Sequence, residues 1–242
     1  MRFAVVLFGA GLTALWAQQP APPQLTAEQV LEKALAASRP LRTAKGLTSS
    51  VAKGELLVEP PGVRGTLELF AKAPAKQLLI VQVESYGEVR RGCDDRTAWA
   101  QDPDQGLRSL EGEELADALQ ACAFDPLGRW RELYPKVELA GKEKVGERET
   151  YKLVMTPATG KPVTRYFDAE TFYVIRQVST RVTSEGLVEI RNEFSDYRDV
   201  DGFKAAFQVA EITPNQTVTI KITEAKSNVE IDDARFAKPA AK

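Results

Sequence analysis

From about residue 151 to residue 236 the chain alternates apolar and polar positions in short runs, each closed by Gly, Pro, Asn or Asp. Period-two writing of this kind predicts strands that bury one face. Strands are predicted near 136–145, 149–156, 162–168, 172–183, 187–197, 203–212 and 216–227, with a last piece near 229–231. Tyr151, Leu153 and Met155 share one face by this reading, as do Val174, Arg176 and Val178, and Val218, Ile220 and Ile222. The spacers 168–171 and 199–202 read as hairpin loops. Together they describe a large curved antiparallel sheet with one apolar face.

The first half supplies a helix, more strands and a helical insert. Thr26 and Gln29 stand at capping-box spacing, with Leu25 and Val30 at staple positions. Val30, Leu31, Ala34 and Leu35 then form one stripe, which predicts a helix over 26–39 stopped by Pro40. Strands are predicted at 52–58 and 65–71, separated by Glu59-Pro60-Pro61-Gly62, with Leu67 and Leu69 on one face. The strand at 77–84 carries Leu78, Leu79, Ile80 and Val81, apolar on both faces, which places it centrally and under a helix. Short strands follow at 88–91 and 97–101. Leu115, Ala118, Leu119 and Cys122 predict a helix over 113–122. Asp125-Pro126, an N-cap followed by a first-turn proline, predicts another over 126–134 that buries Leu127, Trp130, Leu133 and Tyr134. There is no second domain boundary and no internal repeat, so the fold class is α+β and residues 26–242 form a single domain.

The N-terminus changes the setting. Arg2 precedes an apolar stretch, 3–15, too short to span a membrane, which takes roughly 20 apolar residues. Residues 1–17 therefore read as a signal peptide and 18–25 as a proline-containing leader; the other reading is a retained anchor. Export implies a protein outside the cytoplasm with no stable membrane span after processing. Two cysteines, Cys93 and Cys122, predict one bridge in an oxidising compartment, the alternative being two buried thiols. Formal net charge is −2, with no basic stripe to collect phosphates, which argues against nucleic acid.

The chain contains no histidine, so Ser–His and Cys–His dyads are excluded. No glycine-rich phosphate loop opens a helix after a strand. Asp94-Asp95, Asp102 with Asp104, Asp168 with Glu170, and Asp232-Asp233 are the carboxylate pairs, and each falls on a predicted loop, where acids usually form turns. A glycosidase-type pair in a cleft is the competing reading, with calcium on one of these loops as a third. The balance favours a binding module with no catalytic residues, no metal and no cofactor.

Several of these segments carry a resemblance. The opening helix, the Lys72-Ala73-Pro74-Ala75-Lys76 break, Ala98-Trp99 before Asp102-Pro103, the Tyr166-Phe167-Asp168-Ala169-Glu170-Thr171 hairpin and Phe194-Ser195-Asp196-Tyr197-Arg198 resemble the outer-membrane lipoprotein-sorting proteins, the LolA-like periplasmic carriers. The resemblance spans roughly 26–239, and the segment 125–135 looks like a feature of a divergent branch. It implies a periplasmic protein built as a half-open barrel: a strongly curved sheet with helices over its concave face and a hydrophobic cavity between. Leu67, Leu69, Leu79, Val81, Val83, Trp99, Trp130, Leu133, Tyr151, Leu153 and Met155 are the residues expected to line that cavity, or else to fill an ordinary core. The implied function is carriage of lipoprotein acyl chains or lipid across the envelope, with an inner- or outer-membrane delivery partner. The alternative is an envelope sensor or scaffold that binds a protein. Carriers of this type place an arginine inside the barrel to hold helices as a lid, and Arg90 is the candidate here.

Overall fold

The computed structural model describes residues 25–39, 46–183 and 186–240. The expected signal peptide, most of the leader and the Pro40 helix stop lie outside them. Thirteen antiparallel strands form one sheet: β1 (Ser49–Glu59), β2 (Val63–Lys72), β3 (Lys76–Val83), β4 (Gly87–Cys93), β5 (Ala98–Asp102), β6 (Gly106–Ser109), β7 (Lys136–Val145), β8 (Arg148–Thr156), β9 (Val163–Asp168), β10 (Val174–Thr183), β11 (Gly186–Val200), β12 (Phe203–Ile212) and β13 (Thr217–Ser227). Their order is 6-5-4-3-2-1-13-12-11-10-9-8-7, two meanders joined by the long-range pair β1–β13.

Helices α1 (Ala27–Ser38) and α2 (Gly112–Ala121) lie on one side of this sheet, and the short helix α3 (Trp130–Leu133) follows them. Thr26 caps α1 and Gln29 returns the bond, as the capping-box spacing predicts. Only Trp130–Leu133 of the predicted 126–134 helix is helical; residues 126–129 form a turn. Asp125 adopts φ 50° and its carboxylate accepts the Gly128 N–H, so the chain folds back before helical geometry begins at Trp130.

Helix α2 touches both β5 and β10, which are eight places apart in the sheet. On a flat sheet those strands would be ~38 Å apart, whereas ten residues of helix span only ~15 Å. The sheet is therefore rolled around its helices, and they occupy the concave side. The unpaired edges are β6 and β7, so the roll is half-open. Along β7 the exposed Lys136, Glu138, Lys142, Glu143 and Lys144 guard that edge against strand addition.

Cross-strand register sorts the two faces. Gly92 lies opposite Trp99, and Phe70 opposite Leu78, on the convex side. There the C-terminal stretch with its 3-10 turn (Asp233–Phe236) covers them: Phe70, Leu78, Trp99, Ile231 and Phe236 form one buried cluster. β3 is thus covered on its convex face by this segment, not by the helix expected, and the piece near 229–231 is coil. A Val174/Arg176 register shift puts Arg176 on the convex face, so Val174 and Arg176 do not share a face as expected.

Candidate functional site on the concave face

The concave face has two unlike halves. Under α1 it is closed. Val30, Leu31, Leu153, Met155 and Phe167 are all 0% exposed and pack with Trp130 and Tyr134. The loop and α3 are tied to α1 by Arg39–Asp125 and Arg131–Glu32 ion pairs.

Across β13, β1, β2 and β3 the same face carries apolar cross-strand rows. One runs Ile220, Leu56, Gly65, Val83; the next Ile222, Gly54, Leu67, Val81, Val89; a third Ala52, Leu69, Leu79, Arg91, Ala100, Arg108. Leu56 and Leu67 are buried, while Leu69, Leu79, Val81, Val83, Ile220 and Ile222 are half-buried. None of these eight side chains belongs to the clusters packed under α1 or α2, whereas Ala100, further along the third row, is part of the one under α2. They form a trough along the sheet.

The third row ends in charge. Arg108 makes a bidentate pair with Glu114 of α2 at 2.8 and 2.7 Å. Arg91, next to Leu79, makes no hydrogen bond or ion pair among the described residues. Desolvation pushes its guanidinium below the usual arginine value, and the like charge of Arg181 on β10 adds to this. Arg90, the expected interior arginine, is instead on the convex face, where it pairs with Glu88 at 2.8 Å. The inward residue of that strand is Arg91.

Beneath α2, against β9–β11, lies a cavity of about 280 Å³. Asp117, Lys161, Arg165, Gln177, Arg181 and Asn192 are among its lining residues, so this space is polar where an apolar one was expected. Arg165 is 7% exposed, and its Nε donates to Gln177 Oε1 at 2.9 Å and Nη2 to the Tyr134 hydroxyl at 3.3 Å. Cys122, at the C-terminal cap of α2, is bridged to Cys93 at the end of β4.

The residues expected to line one cavity therefore divide three ways. Leu67, Leu69, Leu79, Val81 and Val83 share the trough; Trp130, Leu133, Tyr151, Leu153 and Met155 belong to the packed half; Trp99 is on the opposite face. Trp99 faces outward because Gly92 leaves room for its ring, which then donates to the Phe236 carbonyl at 3.1 Å. Arg165 and Arg91 were not singled out from the sequence. The signal for Arg165 was present: it stands between Val163 and Phe167, in the register that faces the core. The loop acids close their own turns: Asp94 accepts the Thr97 N–H, Asp102 the Gln105 N–H and Asp168 the Thr171 N–H.

This rolled, open sheet with helices inside is the LolA-like fold. No family model matches the chain, and no curated relative does. Among solved structures, a LolA superfamily protein from Nitrosomonas europaea superposes with a TM-score of 0.60 at 14% identity, over 89% of this chain and 99% of that one. A DUF1329 family protein from Desulfovibrio piger gives 0.60 at 14% identity, over 87% and 97%. A putative outer membrane lipoprotein-sorting protein domain from Vibrio parahaemolyticus gives 0.58 at 12% identity, over 88% and 97%. At these identities the similarity establishes the fold.

Proposed function

We propose that this protein is a periplasmic carrier that holds an acyl chain of a lipid or lipoprotein along the trough and moves it across the envelope without catalysis. The observation that carries this reading is the set of half-buried apolar rows on the concave face outside the packed clusters. Each methylene laid on such a surface gains up to about 0.8 kcal/mol, so a long chain binds without ATP or metal. The fold shared with a lipoprotein-sorting domain supports the same reading. The alternative is an envelope sensor or scaffold that binds a protein partner at the open sheet edge or on the convex face; the charges along β7 oppose strand addition at that one edge.

The test is native mass spectrometry of the protein purified from its own envelope under mild extraction. Adducts of lipid mass are expected, and they should fall sharply in Leu79→Asp. A bare polypeptide mass in every preparation would remove the carrier reading.

A further inference from the structure

We infer that the cavity beneath α2 is a phosphate-class oxyanion site, with Arg165 as its central ligand, that takes the headgroup of an anionic amphiphile whose tail lies on the trough. The tail rests on the carrier reading above; the anion site stands on its own geometry.

Arg165 is more than nine-tenths buried, yet no carboxylate pairs with it among the described residues. Its two protein partners, Gln177 and Tyr134, are neutral. An arginine stays protonated in a protein and offers five donors in a planar fork. Two groups hold this one in place, while its positive charge is left for something else to neutralise. Buried charges are normally matched by an opposite charge, and here the matching space is a cavity.

The rest of the lining points the same way. It presents three cations, Lys161, Arg165 and Arg181, against one carboxylate, Asp117. Lys161 lies 3.8 Å from Asp117 and from Glu113, and Arg181 lies 3.9 Å from Glu211, so these two already have acids nearby. Arg165 is the cation left over. Gln177 and Asn192 add side-chain amide donors. That many donors exceeds what a carboxylate's two oxygens require and suits a phosphate. The cavity also adjoins the trough: Arg181 on its wall is close enough to Arg91, beside Leu79, to repel it. A molecule with an anionic head and an apolar tail satisfies both surfaces at once.

The experiment is isothermal titration calorimetry on the full chain with three probes: dihexanoyl-phosphatidylglycerol, dihexanoylglycerol and inorganic phosphate. Phosphatidylglycerol should bind the native protein more tightly than dihexanoylglycerol. Arg165→Met should weaken phosphatidylglycerol by ~30-fold or more while leaving dihexanoylglycerol unchanged. Should Arg165→Met not fold, Arg181→Gln, at a half-exposed position, serves instead and should weaken phosphatidylglycerol selectively. Inorganic phosphate binding that is lost in Arg165→Met, with no gain from acyl chains, would keep the oxyanion site and sink the carrier reading. Equal binding of both lipids in native and variant protein would overturn the oxyanion site and leave the carrier reading intact. So would an Arg165→Met protein of lowered stability that binds phosphatidylglycerol normally, because Arg165 would then be a brace between Tyr134 and Gln177. Failure of the folded native protein to bind any probe overturns both.

Discussion

Leu153 and Leu79 are the same residue type on the same face of the same sheet, and replacing each by alanine measures how full each half of that face is. Leu153 is 0% exposed and is enclosed by Val30, Leu31, Met155 and Phe167. Truncating it removes transfer free energy and leaves a void, so the expected loss is about 3 to 5 kcal/mol. Leu79 is half-buried, with Leu69 and Arg91 beside it across the sheet. It loses only part of a transfer term and creates no sealed void, for about 1 to 1.5 kcal/mol. Urea unfolding followed by far-ultraviolet circular dichroism, with an unchanged slope as the check on the denatured state, should separate the two midpoints clearly. In melting temperature the gap should be several degrees, because a chain of this size loses ~2–4 °C per kcal/mol. If both truncations cost the same large amount, the trough is a filled core and no acyl chain fits there.

Three further outcomes follow from particular contacts. Replacing Cys93 and Cys122 together by alanine opens a loop of sequence separation 29 and should cost about 3 to 4 kcal/mol in denaturant melts; a cost below about 1 kcal/mol would show the bridge to be dispensable. Gly92→Ala would bring a Cβ within 2.3 Å of the Trp99 ring, so the ring must move, at about 1–3 kcal/mol, and the near-ultraviolet dichroism of Trp99 should collapse. Hydrogen bonds from Lys72 and Lys76 hold the Asp233 carboxyl down at about 2. The sign is that of a depressed acid: its contribution is complete above the ordinary aspartate value and is lost as pH falls toward 2. Trp99 fluorescence should therefore change across that acid window, and Asp233→Asn should abolish that part of the change.

Local chemistry was legible in the sequence, and parity and tertiary ion pairs were not. The Thr26–Gln29 box could be read because all its partners lie within one turn. The bounds of β7 and β12 were readable because turn residues flank them, Pro135 and Gly146 for β7 and Gly202 and Pro214 for β12. Asp125-Pro126 failed as a helix start because Asp125 took a left-handed conformation and paired with Arg39, 86 residues away. On β4, Val89 and Cys93 share Arg91's parity, but a strand this short does not say which side is concave; pairing of Arg91 with Leu79 on β3 decides it. The irregularity between Val174 and Arg176 flips one face without leaving any mark in the alternation. The polar cavity was invisible for another reason. Its walls come from α2, the turn after it and β9–β11, and only the rolling of the sheet brings them together.

The two halves of the concave face are also held shut by different means, which fixes an order of opening. Four residues of α1 are buried, and two ion pairs tie it to the turn and short helix that follow α2. Helix α2 has no fully buried residue, and its first residue has no side-chain cap. Its attachments include the Arg108–Glu114 pair, the bond from the Gln120 side chain to the Lys161 carbonyl and the Cys93–Cys122 bridge. A segment with little buried apolar surface opens locally at small free energy, while a segment set in the core opens only with the whole domain. Amides of α2 should therefore exchange with deuterium well before those of α1, and ligand held beneath α2 should slow α2 alone. Breaking the bridge should speed α2 further and leave the relative rank of α1 untouched. If α1 and α2 instead exchange together at the global unfolding rate, the roof is one rigid body and a chain must enter by the open sheet edge.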